Sequence, residues 1–221
     1  MRVALSWSGG KDAAWALHQL RRDPAMEVVV LLTTVTSHFM RIAMHGVRVE
    51  LVRAQARAAG LPLVEIPLPW PCSNEVYQTS FLQELARCRK RWSLTHVAFG
   101  DLFLEDVWAY RETLLLGTGV QPLFPLWQRP TGALIAEMLK AGVTARIVCL
   151  NPETMPRALA GQVLDSGLIA RLPPGVDPCG ERGEFHTFVS AGPMLQGEVQ
   201  VTSGDVVERD GFIYADLLAA R

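Results

Sequence analysis

The strongest constraint on this chain is an alternation. Runs rich in apolar and β-branched residues recur along its first two thirds, and segments with apolar residues at helical spacing separate them. Arg2–Trp7 (RVALSW) reads as a buried strand, and residues 12–22 read as a helix with Ala13, Ala16, Leu17 and Leu20 on one face. Glu27–Val35 (EVVVLLTTV) is apolar almost throughout, the pattern of a central parallel strand covered on both faces. Further strands are expected at Leu63–Pro67, Thr95–Gly100 and Thr144–Leu150, with helices at residues 47–59, Ser73–Trp92, 104–116 and 134–142. Strands separated by helices of this length imply βαβ units with right-handed crossovers. The expected fold class is therefore α/β, with a doubly wound, mostly parallel five-stranded sheet.

The last third changes character. After LPPGVDPCGERGE come the short alternating runs EVQVTSG and DVVERDGFIYADL, with Asp210-Gly211 as a hairpin turn. A small β-containing C-terminal lobe is expected, dividing the chain into residues 1–125 and 126–221.

The formal net charge of −1 gives no electrostatic footprint for general nucleic-acid binding. The one basic run, RCRKRW, reads as the solvated end of a helix. The four cysteines, Cys72, Cys88, Cys149 and Cys179, show no C-x-x-C spacing, which argues against a zinc knuckle or a thioredoxin-like site. No apolar stretch approaches the roughly 18 residues of a membrane span, and the first residues enter a strand pattern directly. A cytoplasmic protein with reduced thiols is expected.

The chemistry begins where the first strand ends. Ser6, Trp7, Ser8, Gly9, Gly10, Lys11 and Asp12 lead from that strand into a helix N-terminus. In an open parallel sheet, ligands sit at the carboxyl ends of the strands. Unpaired N–H groups and the helix dipole there favour an anion, and glycines allow its close approach. The spacing fits neither the Walker pattern nor G-x-G-x-x-G. It does fit S-G-G-x-D, and the chain thereby resembles the PP-loop, or N-type ATP pyrophosphatase, superfamily. That resemblance implies an adenine nucleotide alpha hydrolase-like fold and cleavage of ATP between its α and β phosphates. Many members carry Ser or Thr after the Asp; here the residue is Ala13. Replacing Lys11 or Asp12 by Ala is expected to abolish AMP formation with little loss of fold stability.

Two further stretches are dense in polar groups. Gly100 and Asp101 end the fourth strand beside the glycine loop, where Asp101 could hold Mg²⁺ or cap the next helix. Arg111 could clamp a substrate carboxylate or pair with Glu105 or Glu112. In DPCGERGEFHTFV, Glu181 or Glu184 could bind metal or orient an amine, and His186 could act as a base. Cys179 could be a nucleophile or a buried turn cysteine.

SGGKD, FGDLFLEDVWAYRE, PLFPLW and CGERGEFHTFV together resemble the diphthine–ammonia ligase family and its bacterial-type relatives of unassigned substrate. The last motif departs from C-G-E-G-G-E-Y-E-T, with Arg182, Phe185 and His186 in place of Gly, Tyr and Glu. The resemblance implies an AMP-forming ligase that uses ATP and Mg²⁺ to adenylate a small-molecule or protein-borne carboxylate, which ammonia or an amine then attacks. It implies a nucleotide site of residues 6–12 with Gly100, Thr33 and Thr34 beside adenine, and Met44 and His45 nearby. Lys11 would counter charge, and Asp101 would hold Mg²⁺. Glu181, Glu184 and His186 would line the acyl or ammonia side, with Glu105, Arg111, Cys179, Gly180 and Thr187 toward substrate. PLFPLW (Pro122–Trp127) would form a wall where the lobe meets the sheet. A non-catalytic ATP- or AMP-binding module, favoured by Ala13, is the competing expectation. A homodimer is compatible with either.

Overall fold

The computed structural model describes residues 1–220. Among these, ten strands form two sheets. The first sheet contains β1 (Arg2–Ser6), β2 (Glu27–Thr36), β3 (Arg41–Ile42), β4 (Leu63–Leu68), β5 (His96–Ala98) and β6 (Gln121–Leu123). Five of these run parallel in the order β4-β2-β1-β5-β6. The short β3 pairs antiparallel with Val35 and Thr36 of β2. Since β4 already covers those residues on one edge of β2, β3 takes the other edge, beyond the end of β1.

The helices α1 (Lys11–Arg22), α2 (Val49–Ala58), α3 (Asn74–Trp92), α4 (Glu105–Leu115) and α5 (Thr131–Lys140) fall where the apolar spacing predicts. Side-chain alternation sends each central strand's residues to two apolar layers. Val3, Leu5, Leu31 and Val35 join Ala16 and Leu17 of α1, Leu51 and Val52 of α2 and Leu134 of α5. Ala4, Val30 and Leu32 join Phe81 and Leu85 of α3 and Leu114 of α4. Burial on both faces explains the unbroken apolar run Val28–Leu32 of β2.

The second sheet contains β7 (Thr144–Leu150), β8 (Phe185–Ala191), β9 (Val201–Arg209) and β10 (Phe212–Ala219). It is antiparallel throughout, in the order β8-β7-β10-β9. Asp210 (φ 51°) and Gly211 (φ 80°) close the β9–β10 hairpin, with Arg209 opposite Phe212. Two consecutive residues at positive φ match the right-handed twist of the strands they join.

One strand differs from its sequence assignment. Thr144–Leu150 does not extend the parallel sheet; it pairs with β8 and β10. The fifth parallel strand is Gln121–Leu123, inside PLFPLW, where Pro122 stands opposite Val97 of β5. Proline suits an edge strand because it has no N–H to offer a further neighbour.

The two sheets share one core. Ile147, Phe188, Val189, Ile213 and Leu217 of the second sheet cluster with the α1 and α2 side chains that cover the first. At the rim, Asp216 of β10 binds Arg41 of β3 at 2.9 Å and Arg48, the residue before α2, at 2.6 Å.

Candidate active site

The glycine loop leaves β1 at the carboxyl edge of the parallel sheet. Trp7 N–H donates to Leu32 O at 2.7 Å, which carries the β1–β2 pairing one residue past the strand. The chain then turns at Gly9, whose φ is +80° and where a Cβ would lie 2.7 Å from Gln55 Oε1. Gly10 caps α1 without a side-chain bond, whereas Ser73 caps α3 through its hydroxyl. Arg48, Leu104 and Pro130 likewise cap α2, α4 and α5 without a side-chain bond, and the first N–H of α1, that of Lys11, is met by Thr187 Oγ1. A Cβ on Gly10 would stand 2.8 Å from His45 Cε1 and 3.1 Å from Thr187 O. Gly100 meets a similar limit, since its Cβ would lie 2.9 Å from Ala13 N. The end of β5 therefore packs directly on the first turn of α1.

Gln55, which sequence reasoning missed, holds the loop in place. It is fully buried, accepts from Trp7 Nε1 at 3.1 Å, and donates to Gly9 O at 2.9 Å and Val189 O at 2.6 Å. Its signal was available. Gln55 follows Leu51 and Val52 by four and three residues and precedes Ala56 and Ala59, so it lies on the apolar stripe of α2. Strand β8 completes the clasp: Val189 N–H donates to Gly9 O at 2.9 Å, and Lys11 N–H donates to Thr187 Oγ1 at 3.0 Å.

Lys11 is 2% exposed. Its ammonium donates to both Asp12 oxygens, at 3.0 and 2.9 Å, and to Cys179 O, and it lies 5.5 Å from the Phe185 ring centre. Burial alone would lower the Lys11 pKa. The Asp12 charge and hydrogen bond, with Cys179 and Glu181, outweigh burial and raise it. Asp12 is pushed up by burial, against the pull of Lys11. The sequence leads one to expect little loss of stability from Lys11→Ala; this packing predicts a larger one, to be read by urea unfolding. Removing the cation strands a carboxylate and opens a buried gap, at a cost of about 3 kcal/mol.

Glu181 closes the site from the lobe side. Its Oε1 accepts from Leu102 N at 2.7 Å, just past Asp101. Burial, followed by the nearby Asp12 and Asp101 charges, lifts its carboxyl to about 7, while the Leu102 bond pulls the other way. Asp101 accepts from Arg111 Nε at 3.3 Å. The arginine's partners are therefore Asp101 and the Tyr77 hydroxyl, at 3.2 Å from Nη1, rather than Glu105 or Glu112. Asp101 does not cap α4, whose capping residue is Leu104.

Three expected site residues have other work. Glu184 is buried and spends its carboxylate inside its own loop, accepting from Asp177 N and Arg182 N, each at 2.9 Å. Cys179 is 1% exposed with its thiol pushed by burial up to about 12, a poor nucleophile. Its carbonyl, not its sulfur, serves the site by receiving Lys11. Met44 is 71% exposed and lines a cavity of about 100 Å³ with Phe39, Trp70 and Tyr214. Glu105 is exposed in the first turn of α4. Gly180 (φ 71°) makes the turn that brings Phe185 O within 2.6 Å of where its Cβ would be.

His45 and His186 stack with ring centres 4.5 Å apart, and His45 Nδ1 lies 3.2 Å from Thr187 O. Burial lowers both: His186 to about 4, and His45 well below the usual histidine value, with His186 itself contributing. The pair is neutral at pH 7. Thr33 stands one residue beyond the pairing of Ser6 with Leu32, and its hydroxyl is buried with no partner among the described residues. Thr34 offers its carbonyl to Ala43 N at 3.1 Å.

A parallel sheet with this loop at its carboxyl edge, clasped by an antiparallel lobe, defines the PP-loop α/β class. The profile of the Diphthamide synthase N-terminal domain matches residues 1–117, and that of the Diphthamide synthase C-terminal domain matches residues 131–215. The chain belongs to the diphthamide synthase family. Its relatives include proteins named diphthine–ammonia ligase: those of Bos taurus and Homo sapiens are 26% identical over 245 and 246 residues, spanning 100% of this chain and 90% of theirs. The Danio rerio protein of the same name is 24% identical over 227 residues, spanning 94% of this chain and 89% of its own. No helix among the described residues is long and apolar enough to cross a membrane.

Proposed function

We propose that the protein is an ATP-dependent, AMP-forming ligase that joins ammonia or an amine to a carboxylate. The single observation that carries this reading is the convergence, at one glycine-led helix start, of Lys11, Asp12, Asp101 and Glu181 from both halves of the chain. The residues fit a nucleotide. The loop opens α1 on two glycines, with no side chain of its own in the way of an anion, Lys11 is a buried cation beside it, and the Thr33 hydroxyl is an orphan within the sheet's carboxyl edge. For Mg²⁺ accompanying the nucleotide, Asp101 would be the protein ligand. No group of three or more acidic, histidine or cysteine side chains among the described residues is placed to hold a metal.

When bound, ATP with Mg²⁺ supplies the adenylyl group that activates a carboxylate and the pyrophosphate that leaves. The chain's own part is electrostatic and positional. Lys11 and the loop amides oppose the negative charge that develops between the α and β phosphates. Glu181, which titrates near neutrality, accepts a proton from the attacking nitrogen. The neutral His45–His186 stack walls the acyl side without adding charge. Arg111, held by Asp101 and Tyr77, orients the carboxylate. Glu184 and Cys179 keep the loop that carries Glu181 in shape. In this reading residues 1–125 bind the nucleotide and residues 126–221 supply the substrate side.

Incubation with ATP, Mg²⁺, ammonia and a panel of carboxylates, including a diphthine-bearing peptide, tests the reading. AMP and pyrophosphate should appear in equal amounts with at least one carboxylate. Release of ADP overturns the reaction type. Tight ATP binding with no release across the panel supports the non-catalytic module that Ala13 allows.

A further inference from the structure

One carboxylate of the second sheet holds both ends of a loop that reaches the site. Asp216 of β10 accepts from Arg41 Nη1 at 2.9 Å, and from Arg48 Nε at 3.1 Å and Nη2 at 2.6 Å. Arg48 thus meets it in the two-pronged geometry that fixes direction as well as distance. Burial would raise the Asp216 carboxyl; the hydrogen bonds and charges of Arg48 and Arg41 overcome it and lower its pKa. Between the two arginines the chain doubles back. Ile42 N–H donates to Val47 O at 2.8 Å and Gly46 N–H to Ile42 O at 3.0 Å, which leaves residues 43–46 as the tip. Arg41 also braces that tip, donating from Nη1 to Gly46 O at 2.6 Å. Tyr214, two residues from Asp216 on β10, packs against it: a Cβ on Gly46 would stand 2.5 Å from the tyrosine ring.

His45 sits in this tip, and its ring is the part that enters the site. It stacks on His186 at 4.5 Å between ring centres, and its Cε1 lies 2.8 Å from a Cβ built on Gly10. The backbone on both sides of it is in the left-handed region, at Met44 (φ 66°) and Gly46 (φ 69°). A non-glycine residue there carries strain that persists only where its surroundings impose it. With the Met44 side chain 71% exposed, that constraint falls to the ends of the loop.

We propose that Asp216 is a positioning residue: through Arg41 and Arg48 it sets the loop 41–48, and so holds the His45 ring against His186 and the glycine loop. The second sheet thereby grips this loop twice, at its ends from β10 and at its tip from β8. That the ring matters to turnover rests on the reading of the site given above; that Asp216 fixes the ring does not.

Nuclear magnetic resonance of the histidine rings, with His45 assigned from a His45→Gln chain, tests the placement. In the parent, burial, with the charges of His186 and Lys11, holds the His45 pKa well below the usual histidine value. Asp216→Asn removes the charge that both arginines share, so the His45 resonance should shift and its titration should rise toward that usual value. Hydrogen exchange supplies the control. The Val189 amide, bound to Gly9 O, should stay protected. An unmoved His45 in folded Asp216→Asn overturns the proposal. Loss of Val189 protection along with the shift also overturns it, since the whole lobe would then have come loose. Where Asp216→Asn does not fold, Arg48→Met removes one of the two grips: a smaller shift of the same sign supports the proposal, and none overturns it. Turnover gives a second arm. Asp216→Asn should lower kcat/KM for the ligase reaction by about tenfold or more, and in a His45→Ala chain the same change should add less than about twofold. Losses that multiply in full overturn the action through His45. A parent without ligase activity overturns the function proposed above and leaves the ring measurements to decide this one.

Discussion

Lys11 and Glu181 are separated by most of the chain, yet each favours the charged form of the other: Glu181 raises the Lys11 pKa and Lys11 lowers that of Glu181. The loop itself was legible because S-G-G-K-D is local: a strand end, two glycines and a helix start lie within a dozen residues. The surroundings that set its chemistry were not, since Cys179 O, Thr187 and Glu181 arrive from another sheet. The same distance hid the roles of Glu184 and Cys179. Both look reactive in sequence, and both are spent on loop geometry once Asp177 and Lys11 are in place. Glu181 yields the clearest test at this scale. Burial raises its carboxyl to about 7, so the basic form that takes up a proton fills as pH rises through that value. The rate should climb with pH through about 7 in the parent, and Glu181→Gln should lose that limb. An unchanged profile in the variant would assign the proton transfer elsewhere.

Helix α2 and strand β8 act together as the clasp of the glycine loop. Gln55 is the joint, with all its bonds inside the protein. Gln55→Leu keeps the volume but leaves Trp7 Nε1 without its acceptor and Val189 O without its donor. Urea unfolding should show a loss of about 2–3 kcal/mol, and ATP affinity should fall because the loop is no longer fixed. Stability within about 0.5 kcal/mol of the parent would show that the clasp does not hold the loop. At this scale the sequence placed helices well, because their periodicity is intrinsic to each segment. It did not separate β7 from the parallel sheet. An apolar run states that a strand is buried, but its neighbours are chosen by β8 and β10, dozens of residues later. Likewise the parallel edge fell to a three-residue strand with a proline, too short to stand out.

At the scale of the whole molecule, a continuous core and the Asp216 contacts to Arg41 and Arg48 hold the antiparallel lobe over the carboxyl edge of the parallel sheet. In the proposed reading the site is complete only when both are docked: the first sheet contributes the loop, Asp101 and Arg111, and the second contributes Thr187, His186 and the strand next to Glu181. That division suits a reaction with two demands, a grip on phosphate and a pocket for the acyl and amine partners. The central claim is that a carboxylate oxygen attacks the α phosphate. Turnover with carboxylates labelled with heavy oxygen, followed by mass spectrometry of the nucleotide product, tests it most directly. One heavy oxygen should appear in AMP for every amide formed. Heavy oxygen in inorganic phosphate, or amide formation with unlabelled AMP, would contradict the account.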